Sequence, residues 1–138
     1  MIVLDTNVVS EGMKPTPDAK LLAWLAALQP KSAYLSVVSA AEMLTGAALL
    51  PAGKRREGLT MIIASQVLPA FEGRLLEMDL AVSYRIAEVT ASARASGNDI
   101  DFPDAAIAAT ALVHGYKLAT RNMRDFVGTG VQLINPWM

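Results

Sequence analysis

An apolar run that ends in an acid constrains the fold of this chain more than any other feature. Ile2, Val3 and Leu4 favour β-structure and show no alternation of polar and apolar residues, and Asp5 follows them directly. Such a run predicts a strand that is buried on both faces of a sheet. The carboxylate then lies at the carboxyl edge of the sheet, where ligands bind in open α/β folds. We therefore expect Asp5 to be well placed to hold a metal ion.

The rest of the chain alternates between strand-like and helix-like segments. Further strands are predicted at 34–38, 75–78, 117–120 and 131–134, and helices at 17–28, 39–50, 54–68, 80–96 and 103–114. Thr16 is expected to cap the first helix, and Pro69 to end the third. This alternation predicts an α/β fold with a parallel sheet and helices on both faces.

The composition limits which metal the chain can bind. It contains no cysteine, and His114 is its only histidine. Thiolate sites and His-rich zinc sites are therefore excluded. Any metal must be held by oxygen atoms, which favours Mg²⁺ or Mn²⁺.

The balance of apolar and charged residues bears on partners and location. Hydrophobic residues make up 53% of the 138 residues and charged residues 18%, so we expect one domain over 1–138 with apolar surface left for a subunit interface. The sequence has no apolar run of membrane-spanning length and no secretory pattern, which predicts a cytoplasmic protein. A net charge of −1 gives no global signal for nucleic acid, but a local basic patch is compatible with it.

Four acids are predicted to meet at one edge of the sheet. Each follows a strand or lies in the first turn of a helix, and they are Asp5, Glu42, Asp104 and Asp125. Loops after parallel strands emerge on the same edge, so we expect these carboxylates to converge. Clustered carboxylates repel one another unless a divalent cation compensates them. Two cations about 3.5–4 Å apart would activate a water molecule and stabilise the leaving oxygen in phosphodiester cleavage.

Three of these acids also have a structural explanation. Ser39 and Glu42 fit a capping box, which explains Glu42 without a functional role. Asp104 suits the positive end of a helix dipole, and a loop acid such as Asp125 is ordinarily just solvated. Asp5 is harder to explain in this way, because a carboxylate that ends an apolar strand must be solvated, paired or liganded.

Polar and basic residues flank the acids. The uncharged ones either orient carboxylates and metal-bound waters or serve only as turn and cap residues, and they are Thr6, Asn7, Ser10, Ser39, Thr120 and Asn122. Arg121 and Arg124 flank the acidic edge and are placed to contact RNA phosphates. The basic run at 54–56 can also meet a phosphate backbone, although such a run at a helix start is more often a solvated face.

Four motifs, taken in order, resemble those of one nuclease family. They are LDTN at 4–7, S-x-x-E at 39–42, DA followed by IAATA at 104–111, and ATRNMRDF at 119–126. With Asn135-Pro136-Trp137 near its end, the chain resembles the PIN-domain ribonucleases of the VapC toxin family, in the branch that includes FitB.

The resemblance implies a three-layer α/β/α sandwich and a bacterial toxin that cuts RNA with Mg²⁺ or Mn²⁺. It also implies a homodimer and a cognate antitoxin, of the VapB or FitA kind, that covers the acidic pocket and carries the contact with DNA. The first three acids of the family match Asp5, Glu42 and Asp104. The fourth often falls where this chain has Asn122, so either Asp125, directly or through water, or the Asn122 position completes the set.

The favoured hypothesis is a metal-dependent endoribonuclease. Asp5 and Asp104 hold the principal ion, and Glu42 and Asp125 complete or orient its shell. A second hypothesis is a phospho-accepting receiver domain with Asp79 as the acceptor, although a receiver has two adjacent acids after its first strand. A third is a catalytically silent subunit that acts only through its partner.

Overall fold

A parallel sheet of five strands lies at the centre of the computed structural model, which describes residues 1–138. Its strands are β1 (Ile2–Leu4), β2 (Ala33–Ser36), β3 (Leu75–Leu76), β4 (Lys117–Ala119) and β5 (Leu133–Ile134). They lie in the order β3-β2-β1-β4-β5, and each neighbouring pair is parallel. The predicted parallel sheet is confirmed, and β1 is its central strand.

Helices connect these strands. They are α1 (Thr6–Gly12), α2 (Ala19–Ala27), α3 (Val37–Ala48), α4 (Lys54–Ile62), α5 (Leu68–Ala70), α6 (Leu80–Ala95) and α7 (Phe102–His114). A π-helical segment, Ile63–Val67, joins α4 to α5, and a 3₁₀ turn, Met123–Phe126, follows β4. None of the helices combines the length and the apolar character needed to cross a bilayer.

Two separate apolar clusters bury the two faces of the sheet. Val3 of β1 and Leu118 of β4 pack with residues of α6 and α7 in the first cluster. Ile2 and Leu4 belong to the second cluster, together with residues of α1, α2 and α3. Because alternate side chains of a strand point to opposite faces, this packing explains why every position of β1 is apolar. The α/β/α layering is thereby confirmed.

The first two helices begin differently from the prediction. The sequence did not predict α1, which starts directly after β1 and is too short to show a clear helical period. Asp5 is its N-cap and accepts a hydrogen bond from the N–H of Thr6. Asp18, and not Thr16, caps α2, because its carboxylate accepts the N–H of Leu21 at 3.1 Å.

The predicted capping box at 39–42 is wrong. Helix α3 begins at Val37, and the hydroxyl of Ser36 accepts the N–H of Val38 as its cap. Ser39 therefore lies inside the helix, and Glu42 lies beyond the first turn. The apolar pair at 37–38 looked like the end of a strand but forms the first turn of α3. Capping consequently does not account for Glu42.

The helix predicted at 54–68 continues past Pro69, so Pro69 does not end it. In the π-helical segment the N–H of Leu68 donates to the carbonyl of Ile63, one residue further back than in an α-helix. Proline donates no backbone hydrogen bond and does not fit the interior of a regular α-helix. The wider π turn just before Pro69 accommodates it. The predicted start of α6 is confirmed, and Asp79 is its N-cap.

Candidate acidic site

The candidate site lies at the carboxyl edge of the sheet, around the end of β1. Asp5 follows β1, Thr120 follows β4, and Glu42 lies on α3, the helix after β2. Because β2, β1 and β4 are neighbours in the sheet, these three residues lie on adjacent connections. The parallel topology therefore brings together residues that are up to 115 positions apart in the chain.

Asp5 is the most tightly held of the acids. Only 5% of its surface is exposed. Its Oδ1 accepts the N–H of Thr6 at 2.8 Å, and its Oδ2 accepts the hydroxyl of Thr120 at 2.8 Å and the side-chain amide of Asn7 at 3.3 Å. Three donors thus fix the orientation of this carboxylate on a rigid strand end.

Burial determines the ionisation of Asp5. Burial raises the pKa of Asp5 above its usual value, and the negative charges of Glu42 and Asp125 raise it further. The hydrogen bonds from Thr120 and Thr6 act in the opposite direction, because they favour the charged form. The raised pKa means that donors alone do not compensate this buried charge.

A hydroxyl pair ties Glu42 to the first helix. The Oγ1 of Thr6 donates to Oε1 of Glu42 at 2.6 Å and lies 2.9 Å from Oγ of Ser39. Glu42 is half-buried, and its contact runs across to α1 and not back to the start of its own helix. Thr6 therefore contacts Glu42, and Ser39 contacts Thr6, while the orienting role of these two residues stays a prediction.

Asp104 lies in the first turn of α7, close to a further acid, Asp101. Asp101 is the N-cap of α7, and its Oδ1 accepts the N–H of Asp104 at 3.0 Å. The pKa of Asp104 is raised to about 7, mainly by burial and further by the charges of Asp101, Asp5, Asp125 and Glu42. The four predicted acids are therefore close enough to influence one another electrostatically.

Asn122 and Asp125, the two candidates for the fourth acidic position, are held next to the site mainly by hydrogen bonds of their backbone groups. The N–H of Asn122 donates to Oγ1 of Thr120 at 3.1 Å, and the N–H of Asp125 donates to the carbonyl of Asn122 at 3.0 Å. The carbonyl of Asp125 accepts the side-chain amide of Asn98 at 3.0 Å. Asp125 and Asn122 are both exposed beside the site, so both assignments of the fourth position stay predictions.

The two predicted arginines line a cavity next to the acids. Arg121 and Arg124 share a cavity of about 610 Å³ with Asn122 and Asp125. The guanidinium of Arg121 lies 5.2 Å from the ring centre of Trp137, an arrangement that favours cation–π attraction. Both arginines therefore flank the acidic edge, and their contact with RNA stays a prediction.

The negative charge of the site is not compensated within the chain. The three ion pairs in the structure involve Glu11, Glu88 and Asp99, and none involves the four acids of the site. The available donors are oxygen atoms, which suit Mg²⁺ or Mn²⁺. No group of three or more acidic or histidine side chains is already arranged as a metal centre. The donor chemistry therefore fits a divalent cation, although the side chains do not form a preassembled cluster.

Sequence reasoning missed Asp101 as a neighbour of the site. A signal was present, because an aspartate three residues before another acid at the start of an Ala-rich helix is a typical N-cap pattern. Recognising Asp101 as the cap would also have placed the first residue of α7 at Phe102.

Comparisons with known proteins identify relatives of this chain. Residues 2–129 match the PIN domain family. VapC ribonuclease Y4jK of Sinorhizobium fredii is 46% identical over 137 residues, which cover 99% of this chain and 98% of that protein. Toxin FitB of Neisseria gonorrhoeae is 39% identical over 137 residues, which cover 99% of each chain.

A solved structure shows the same similarity in three dimensions. The structure of FitAB bound to an IR36 DNA fragment matches with a TM-score of 0.92 and 40% sequence identity. The match covers 100% of this chain and 96% of that chain. The fold and the sequence thus resemble the same group of proteins.

Proposed function

This chain belongs to the PIN-domain family, and on that basis we propose that it is a metal-dependent endoribonuclease, the toxin of a type II toxin–antitoxin pair. It would cleave phosphodiester bonds of RNA in the bacterial cytoplasm. The names of two relatives, VapC ribonuclease and toxin FitB, support the reaction and the biological role.

The uncompensated acidic site is the observation that carries this proposal. Asp5 and Asp104 both have raised pKa values, and no lysine or arginine pairs with them. Repulsion between the acids lowers the stability of the fold, and such a loss of stability is common at functional sites. A bound Mg²⁺ or Mn²⁺ would supply the missing positive charge and polarise the reacting groups.

Each residue of the site has a role in this proposal. Asp5 and Asp104 would hold the cation, and Glu42 and Asp125 would complete or orient the set. The hydrogen bond from Thr120 holds Asp5 in its orientation, as described above. In the metal-free chain Asp104 exchanges a proton near pH 7, so cation binding would release protons from the site.

The partners follow from the relatives and from the surface. The relative seen as FitAB on DNA supports a cognate antitoxin of the VapB or FitA kind, which would cover the acidic site and carry the DNA contact. Large apolar side chains remain exposed, including Leu49 at 80%, Leu80 at 71% and Tyr84 at 70%. Such exposure supports a homodimer.

Cleavage of RNA by the purified chain tests the reaction. We expect cleavage with Mg²⁺ or Mn²⁺, none in a chelator, and none by the Asp5→Ala variant. Glu72→Gln is a matched control, because Glu72 is an exposed acid that precedes β3 at the other end of the sheet. Equal cleavage by wild type and Asp5→Ala would refute the assignment.

The two rival hypotheses stand differently. A receiver domain has the strand order 2-1-3-4-5, whereas this sheet has the order 3-2-1-4-5, and Asp79 serves as the cap of α6. The receiver hypothesis is therefore wrong. For a catalytically silent subunit, Asp104→Asn would leave toxicity in cells unchanged, whereas we expect this variant to lose toxicity and still bind its antitoxin.

A further inference from the structure

A groove opens beside the acidic site, between α1, α3 and α4. Its volume is about 620 Å³, within the range of ligand-binding clefts. Thr6 and Glu42 of the site line the groove, and so do Lys54 and Arg55 in the first turn of α4. We call this space the α4 groove. It connects Glu42 directly to a basic wall.

The positive charges of this wall are available to a ligand. Lys14 also lines the groove, but its Nζ pairs with Glu11 at 2.9 Å. Lys54 and Arg55 are exposed, and neither takes part in any ion pair of the structure. Two unpaired cations thus face a groove in a chain whose net charge is −1.

Two helix glycines line the α4 groove. Gly46 of α3 and Gly58 of α4 both line it, and a Cβ added at either position would meet nothing within 4 Å. Glycine in a helix interior costs about 1 kcal/mol relative to alanine. No close contact in this structure requires glycine at these positions, and each glycine leaves the groove wider than a residue with a long side chain would. Its apolar lining includes Met43 and Ile63.

We propose that the α4 groove guides single-stranded RNA to the acidic site, with Lys54 and Arg55 binding its phosphates. This inference rests on the proposed nuclease function. Four carboxylates repel a polyanion, so a substrate strand needs cations close to the site to offset that repulsion. The apolar lining suits sugars and base faces, while the cations bind the phosphates.

Binding of an end-labelled single-stranded RNA, measured by fluorescence anisotropy in a chelator at several salt concentrations, tests the groove apart from cleavage. Each phosphate contact contributes about 0.7 to the salt slope for single strands, so Lys54→Glu and Arg55→Glu should each reduce the slope by about 0.7. This corresponds to about an eightfold loss of affinity at about 0.05 M salt. Glutamate is well tolerated in the first turn of a helix, so both variants should fold.

Lys117→Glu is the matched control. Lys117 is exposed at the amino end of β4, on the opposite edge of the sheet, and its substitution changes the net charge equally. We expect it to bind RNA as wild type does. An equal loss in Lys54→Glu and Lys117→Glu would overturn the proposal, because it would reflect net charge alone. Loss of antitoxin binding in Lys54→Glu without loss of RNA binding would also overturn it.

Filling the groove provides a second test, and cleavage kinetics separate the two proposals. Gly46→Met should weaken RNA binding without adding a charge. Unchanged binding in this variant and in Lys54→Glu would refute the proposal that RNA binds in the α4 groove.

If wild type cleaves RNA and Lys54→Glu has the same KM, the groove assignment fails while the nuclease proposal stands. If wild type binds RNA through Lys54 but never cleaves it, the nuclease fails while the groove stands.

Discussion

The two ends of α1 carry two buried acids with opposite surroundings. Asp5 precedes the helix with 5% of its surface exposed, and Glu11 lies in its last turn with 8% exposed. The carboxylate of Glu11 accepts Nζ of Lys14 at 2.9 Å and the N–H of Asp18 at 3.1 Å. The hydrogen bond from Lys14 lowers the pKa of Glu11, whereas burial raises the pKa of Asp5.

This difference shows that burial of an acid does not by itself identify a site. Glu11 has a cation and a backbone donor, which is what a structural carboxylate needs. Asp5 has hydroxyl and amide donors but no cation, and its neighbours Glu42 and Asp125 add negative charge. Missing compensation, and not burial, distinguishes the proposed active acid from the structural one.

The largest expected effect comes from neutralising each acid in turn. Asp5→Asn should reduce RNA cleavage by at least about a thousandfold, because it removes a charge proposed to hold the cation. Glu11→Gln should leave cleavage unchanged and lower only the melting temperature, since it removes an ion pair with Lys14. Parallel cleavage assays and thermal denaturation measure both effects. Similar cleavage by the two variants would show that missing charge compensation does not distinguish Asp5 from Glu11 in function.

Removing one donor from Asp5 should have a smaller effect. Thr120→Val loses the hydroxyl that holds Oδ2, and loss of such an orienting group typically costs about 10–100-fold in activity or metal affinity. Thr120→Ser should restore cleavage. Thr110→Val is the control, because Thr110 is also fully buried but its hydroxyl donates to the carbonyl of Ala106 within α7. Full activity in Thr120→Val would show that Asp5 needs no orientation.

Divalent cations should stabilise the folded chain through the acidic site. At ten times the dissociation constant, Mg²⁺ would raise the free energy of unfolding by about 1.4 kcal/mol. Asp104→Asn should lose most of this gain, while Asp99→Asn, an exposed acid outside the site, should keep it. Thermal denaturation with and without Mg²⁺ measures the difference. An identical gain in both variants would place the cation elsewhere.

The pH dependence of stability is the smallest of the expected effects. A carboxyl whose pKa is raised on folding binds more protons when folded, so in metal-free buffer its contribution to stability falls as pH rises from about 4 to about 7. Asp104→Asn should remove this fall and stabilise the chain by about 1 kcal/mol at pH 8, a modest value because Asp104 is partly exposed.

Denaturant unfolding of both chains across this pH range measures the effect. Glu72→Gln serves as the control and should follow the wild-type profile. If stability changed by the same amount between pH 4 and pH 7 in wild type and in Asp104→Asn, the raised pKa of Asp104 would be contradicted.

Much of the fold was predictable because its signals are local. The strand at 2–4, the start of a helix at 80 and the end of a helix at 114 each depend on neighbouring residues, and all three appear in the structure. The errors arose where tertiary packing overrides a local pattern. Val37 and Val38 favour strand by propensity but begin α3, and the π turn allows a helix to continue through Pro69.

The proximity of the acids was predictable, but their contacts were not. Parallel topology alone indicates that Asp5, Glu42 and Asp104 meet at one edge. The bond from Thr6 to Glu42 depends on α1, a helix too short to predict, and the cap at Asp101 depends on where α7 begins. The absence of a cation next to Asp5 can be recognised only once the positions of all neighbouring charges are known.

A crystal structure of the chain soaked with Mn²⁺ would locate the cation itself. We expect anomalous density for a cation within coordination distance of the carboxylates of Asp5 and Asp104, and none at Glu11. Density only at Glu11 or elsewhere on the surface, with the carboxylates of Asp5 and Asp104 left without a cation at saturating Mn²⁺, would contradict this expectation.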